Sequence, residues 1–124
     1  MAAPNIVNVA SVIGKTAYAT PSNTTANVLL ANAASSGKVF KINQIVAANV
    51  DGTNAIDCTV AINSAANGGG TSYAIASTVS VPADASLIVV DKSTAIYLEE
   101  YKSIVVTSGT ASKITYTVSY EEIS

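Results

Sequence analysis

Apolar and polar residues alternate with a period of two along most of this chain. From Ile56 to Ile62 the even positions are Ile, Cys, Val and Ile, separated by Asp57, Thr59 and Ala61. From Tyr73 to Val81 the odd positions form one apolar face, interrupted at Ser77. Near the end, Ile114, Tyr116, Val118 and Tyr120 share one face, while Lys113, Thr115, Thr117 and Ser119 share the other. Successive side chains of a strand point to opposite sides, so each run predicts a strand with one dry face.

Turn formers punctuate these runs. Ser35-Ser36-Gly37 precedes 39–50 and Asp51-Gly52 follows it. Asn67-Gly68-Gly69-Gly70 separates 57–63 from 71–81 and reads as a flexible hairpin tip. Pro82-Ala83-Asp84-Ala85 leads into 87–90, and Ser108-Gly109 joins 104–107 to 114–120. With further segments near 5–13, 24–31 and 95–99, eight or nine short strands are expected. No stretch carries the 3.6-residue period of a long helix. The prediction is an all-β, antiparallel β-sandwich, with the jelly roll as one candidate topology. It fills a single domain over 1–124, with residues 1–4 as a loose N-terminal arm.

Composition agrees with strands. There are 15 Val and 12 Ile against 4 Leu, and β-branched side chains favour extended backbone. Only 11% of residues are charged, where about 25% is usual. Ser, Thr and Asn take over the surface, which leaves little repulsion between copies and suits an assembly subunit. The mean hydropathy of +0.41 is high, yet no apolar run approaches the roughly 20 residues of a spanning helix. The start, Met1-Ala2-Ala3-Pro4-Asn5, lacks the basic and apolar regions of a signal peptide. A soluble protein with no membrane partner is expected.

Candidate chemistry is sparse. His, Arg and Trp are absent, which removes Ser-His-Asp triads, His-ligated metal sites and bidentate arginine recognition. A net charge of −2 offers no footprint for nucleic acid. Gly14-Lys15-Thr16 has the ending of a phosphate loop, but Val9 stands where its first glycine belongs, so a strand-end turn is expected. Asn23-Thr24-Thr25 matches a glycosylation sequon and reads as a chance match. Cys58 shares the apolar face of Ile56, Val60 and Ile62, so a buried, inert thiol is expected. Glu99-Glu100 and Glu121-Glu122 are the only acidic pairs, and neighbours on a strand diverge to opposite faces. They read as a solvated rim or as partners of Lys92, Lys102 or Lys113, not as a hydrolytic pair. Tyr116 is expected in the core. Tyr97 and Tyr101, with Glu99 and Glu100, are the candidate interface residues. No catalytic residue, cofactor or metal site is assigned.

The stretch from Val28-Leu29-Leu30-Ala31-Asn32 through Ser35-Ser36-Gly37-Lys38-Val39-Phe40 to Asn49-Val50-Asp51-Gly52-Thr53 resembles small virion structural proteins of tailed bacteriophages, including phages of cyanobacteria. So do Val81-Pro82-Ala83-Asp84-Ala85 to Glu99-Glu100 and the closing Val118-Ser119-Tyr120-Glu121-Glu122-Ile123-Ser124. The resemblance spans about 20–124 and rests on strand-and-turn patterns. One departure is Tyr101, where the pattern has a turn-forming Gly after the Glu pair. The resemblance implies a non-enzymatic virion component, foremost a capsid decoration (cement) protein on the capsid exterior, bound to the major capsid protein. A neck, tail or fibre-associated subunit is the alternative, with other virion proteins as partners. Self-association as a homo-oligomer is expected, a trimer among the options. A carbohydrate-binding module ranks below these, because it wants exposed Trp or Tyr platforms and Trp is absent; a hydrolase ranks last.

Overall fold

The computed structural model describes residues 10–124, in which the alternating segments form nine strands. These are β1 (Val12–Ala19), β2 (Asn27–Asn32), β3 (Val39–Asn49), β4 (Ile56–Asn63), β5 (Ser72–Val81), β6 (Ser86–Val90), β7 (Ile96–Leu98), β8 (Lys102–Ser108) and β9 (Ile114–Ile123). One 3-10 turn, Lys92–Thr94, lies between β6 and β7. The first strand departs from expectation. It begins at Val12 and runs straight through Gly14-Lys15-Thr16, so that tripeptide is strand interior and not a turn. The ladder to β9, unbroken from Val12↔Ile123 to Ala19↔Tyr116, overrides the glycine's turn preference. The expected arm at 1–4 and most of the expected strand at 5–13 lie outside the described residues.

Two antiparallel sheets face each other. One has the order β1-β9-β3-β6, with β7 also paired to β3; the other has the order β2-β8-β4-β5. The chain changes sheet at every connection except β4–β5 and β6–β7. Strands β6 and β7 meet the same edge of β3, through Ile45↔Val90 and Ile42↔Ile96. They are two halves of one edge strand interrupted by the 3-10 turn. Asp91 caps that turn, its carboxylate accepting from the Ser93 amide at 2.9 Å while Thr94 Oγ1 accepts from the Asp91 amide at 3.2 Å. Counted so, the eight strands have the order of a jelly roll.

The core lies between the sheets. Ile42, Ile45, Ile114, Tyr116 and Val118 from the first sheet meet Val60, Ile104 and Val106 from the second. Each fully buried aliphatic side chain contributes about 1.5–3 kcal/mol. Phe40 and Tyr120 stack at a tilt with ring centroids 5.1 Å apart. Cys58 is buried among these residues, and burial, with the Asp57 carboxylate beside it, pushes its thiol pKa up. The Tyr116 hydroxyl donates to the Thr107 carbonyl at 2.9 Å and lies 3.1 Å from Ser108 Oγ. Burial pushes its pKa up to about 12.

Three strands end on a buried asparagine whose amide ties down the next loop. Asn32 closes β2, donating to the carbonyls of Lys38 and Leu98 and accepting from Ser36 Oγ. Asn49 closes β3, donating to the carbonyls of Asn54 and Val81 and accepting from the Asp51 amide. Asn63 closes β4, donating to the Gly70 carbonyl and accepting from the amides of Ala65 and Gly70. The loop after β4 is therefore no free hairpin tip. It folds back over the outer face of the second sheet, where Ser103 Oγ donates to the Ala65 carbonyl at 2.8 Å. Gly68 (φ 78°) lies so near that a Cβ would sit 3.0 Å from Val28 Cγ2, so only glycine fits without displacement.

Candidate functional site

With Tyr116, Val118 and Tyr120 directed into the core, the odd positions of β9 define the outer face of the first sheet. The register carries this face across all the strands. Tyr18, Thr117, Val46 and Ile88 form one cross-strand row, and Thr16, Ser119 and Gln44 form the next. Thr115, Ala48 and Ser86 flank these on one side; Gly14, Glu121, Lys41 and Tyr97 flank them on the other. Lys41 and Glu121, 4.0 Å apart, are the charged residues in these rows. Tyr18 is 76% exposed and Ile88 58%, so large apolar groups stand at both margins of a hydroxyl-rich surface. β3 bulges between Ile42 and Gln44 where the opposing edge strand detours through its 3-10 turn. Asn43, Gln44, Lys92 and Ser119 line the resulting depression, about 290 Å³.

The four interface residues expected from sequence follow one another along the rim. Tyr97 is exposed on β7 and belongs to the outer face through its pairing with Lys41. Glu99, Glu100 and Tyr101 form the turn into β8. Glu99 lies 3.6 Å from Lys102 Nζ, and Glu100 accepts a long 3.4 Å hydrogen bond from the Gly37 amide. Tyr101 has φ 63°, the left-handed region that glycine enters freely. A glycine is therefore what the backbone favours there, and an exposed tyrosine occupies the place at a cost of about 1–2 kcal/mol.

The second acidic pair behaves differently from its expected partners. Glu121 and Glu122 do diverge, as strand geometry requires. Glu121 lies outside by Lys41, while Glu122 is buried with its carboxylate 2.8 Å from both Lys15 Nζ and Lys38 Nζ. Hydrogen bonds from Lys15 and Lys38 hold its pKa below the usual carboxylate range. Of the expected lysines, Lys102 pairs with Glu99; Lys15, Lys38 and Lys41 take the roles expected of Lys92 and Lys113. Cross-strand pairing within the first sheet sets the partners of Glu121 and Glu122, and only strand order reveals it. Strand order also assembles the Tyr18–Ile88 row, which the sequence reading missed. Its only signal is an exposed-parity large side chain in β1, β3 and β6: Tyr18, Val46 and Ile88.

The outer face of the second sheet carries another depression, about 310 Å³, lined by Thr24, Asp57, Thr59, Thr78, Thr107, Ser108 and Gly109. Asn23, nearby in sequence, spends its side-chain oxygen on the Thr25 amide at 3.1 Å and the Asn27 amide group at 2.8 Å. Among the described residues, no three Cys, Asp or Glu side chains converge to hold a metal ion. No described helix is long and apolar enough to cross a membrane.

No protein-family model matches the chain. No curated protein matches it. Solved structures similar in outline include the following two. One is a chain from Bacillus endospore appendages, described as a novel family of disulfide-linked pili. It is 16% identical, with 91% of this chain and 87% of that chain covered and a TM-score of 0.47. The other is a chain of the infectious bursal disease virus Gt strain, 7% identical, with 93% of this chain and 31% of that chain covered and a TM-score of 0.42.

Proposed function

We propose that this chain is a non-catalytic structural subunit of a bacteriophage virion, a capsid decoration protein that binds the major capsid protein and stabilises the shell. The observation that carries this reading is the outer face of the first sheet. It is broad, poor in charge, rich in Thr, Ser and Gln, and edged by exposed Tyr18, Ile88 and Tyr97. Interfaces place aromatic and apolar anchors among polar contacts and keep charge from their centres. Jelly rolls serve in capsids, lectins and cupins, so the fold narrows the choice without making it. A cupin-type metal centre wants His, which this sequence lacks, and of the Trp or Tyr platforms that a sugar site wants, Trp is absent. The phage-like strand-and-turn patterns at 28–53, 81–100 and 118–124 add the virion. Binding the assembled lattice in preference to free subunits would stabilise the shell by mass action.

Quantitative mass spectrometry of purified virions tests the reading. Copies in the hundreds per particle support the capsid lattice. A few to a few dozen would move the protein to the neck, tail or fibres, and absence from virions would end the structural reading.

A further inference from the structure

Among the described residues, four strand edges bound the two sheets, and three of them are broken. β2 shifts register between Val28 and Leu30, and β5 sits in a ladder with two shifts and carries Thr78 at φ 50°. The β6–β7 edge is interrupted by the 3-10 turn. Bulges and interruptions of this kind prevent edge-to-edge pairing. β1 alone runs unbroken over its eight residues. Ser11 and Ser124 exchange both backbone hydrogen bonds, at 3.0 and 2.9 Å, which fixes the phase of the ladder. Odd residues of β1 bond to β9, and the N–H and C=O groups of Val12, Gly14, Thr16 and Tyr18 face the free edge.

We propose that this edge pairs antiparallel with β1 of a second copy, on a two-fold axis through Thr16. Only registers that set even residues against even ones join the outward groups. A register centred on Lys15 places that lysine directly opposite its own copy, which repels. The register centred on Thr16 places Lys15 opposite Ala17 of the second copy, and Lys15 already spends its charge on Glu122 at 2.8 Å. It also sets Tyr18 opposite Gly14. No described residue lies within 4 Å of a Cβ built at Gly14, and Tyr18 is 76% exposed, so the ring of one copy covers the bare backbone of the other. An aromatic across from a strand glycine is a known way to stabilise such a pair. The two sheets then join as one, with main-chain hydrogen bonds supplying affinity. This contact makes a dimer, whatever larger particle the protein serves, and it stands or falls apart from the virion reading.

Sedimentation of the full chain over a concentration series tests it. The wild type should pass from monomer to dimer. Thr16→Pro should weaken dimerisation at least about tenfold while leaving the far-UV spectrum unchanged, because the Thr16 amide is not used by β9. Tyr18→Ala should weaken it with no backbone change, which keeps the test alive if the proline variant does not fold. Thr16→Cys should cross-link on oxidation, since facing residues of a hydrogen-bonded pair lie about 5.5 Å apart at Cα, within disulfide reach. Val12→Cys, about 27 Å from its own copy in this register, should not. A monomer at all concentrations, a dimer indifferent to both Thr16→Pro and Tyr18→Ala, or equal cross-linking of the two cysteine variants would overturn the proposal.

Discussion

The amide of Tyr101 donates to the carbonyl of Asn32 at 2.8 Å, and Tyr101 makes this bond with φ at 63°. This bond ties the turn before β8 to the end of β2. A tyrosine in that conformation costs about 1–2 kcal/mol over glycine. Tyr101→Gly should therefore raise the unfolding free energy by about 1 kcal/mol, net of the extra chain entropy of glycine. Urea unfolding measures it. If Tyr101 is also a contact residue, the same variant should bind particles more weakly although it is more stable, a separation that a purely structural tyrosine does not produce.

Asn49 satisfies its buried amide on the carbonyls of Asn54 and Val81 and on the Asp51 amide. Removing such a hub strands backbone groups away from water. Asn49→Ala should cost about 2–4 kcal/mol, as should the matching change at Asn63. Asn54→Ala, on the exposed side of the same loop, should stay within about 0.5 kcal/mol. Equal losses at Asn49 and Asn54 in urea titrations would contradict this account.

Much of the fold was legible before any coordinates, because period-two alternation is a direct imprint of one buried face. Eight of the expected segments coincide with β2 to β9 within a few residues. The failures share a cause. Local preference makes Gly14 and Gly68–Gly70 turn residues, but the β9 ladder holds one in a strand, and Asn63 with Val28 and Val105 holds the others in a folded loop. The odd face expected from Tyr73 to Val81 breaks at the β4–β5 register shifts, which leave Tyr73 65% exposed. Partners 107 residues apart, such as Lys15 and Glu122, depend on strand order, which no local pattern encodes. At the candidate surface, Tyr97 and the Glu99–Tyr101 turn were visible in the sequence, whereas the Tyr18–Thr117–Val46–Ile88 row exists only across four strands.

Glu122 gives the protein an acid limb. Its folded pKa is depressed by Lys15 and then Lys38, so its stabilisation is full above the unfolded value, near 4.5, and is lost as pH falls through the folded value. Melting temperature should fall steeply below about pH 4.5. Glu122→Gln should melt lower than wild type at pH 7, and the two curves should converge as pH falls below the depressed folded value. Parallel curves across that range would show that the lysine pair does not set the acid limb.

Cys58 lies 1% exposed beneath both sheets, and burial raises its thiol pKa. A thiolate is the reactive species, so native protein at neutral pH should react with Ellman's reagent only as fast as it opens. Denaturant should release one equivalent at once. Prompt labelling of native protein would instead place Cys58 outside, a one-residue slip of β4 that would turn Asp57 inward.

The outer face of the first sheet allows folding and attachment to be separated. Ile88 is 58% exposed, and it pairs across the sheet with Val46, whose other neighbour is Thr117. Nothing in the core depends on its side chain, so Ile88→Lys should change stability by less than about 0.5 kcal/mol. A charge at the margin of an apolar contact, however, must be desolvated or must exclude the partner, and loss of a well-packed apolar anchor costs about 2 kcal/mol or more. Particle binding should then drop by tenfold or more, at unchanged melting temperature. Lys92→Ala, beside the depression at Asn43 and Gln44, should by comparison change binding only a few-fold, as rim charges do. Co-sedimentation with capsids stripped of the protein reads both variants. Full binding by Ile88→Lys, with the fold intact, would move the attachment surface off this sheet and leave the Glu99–Tyr101 rim as the contact.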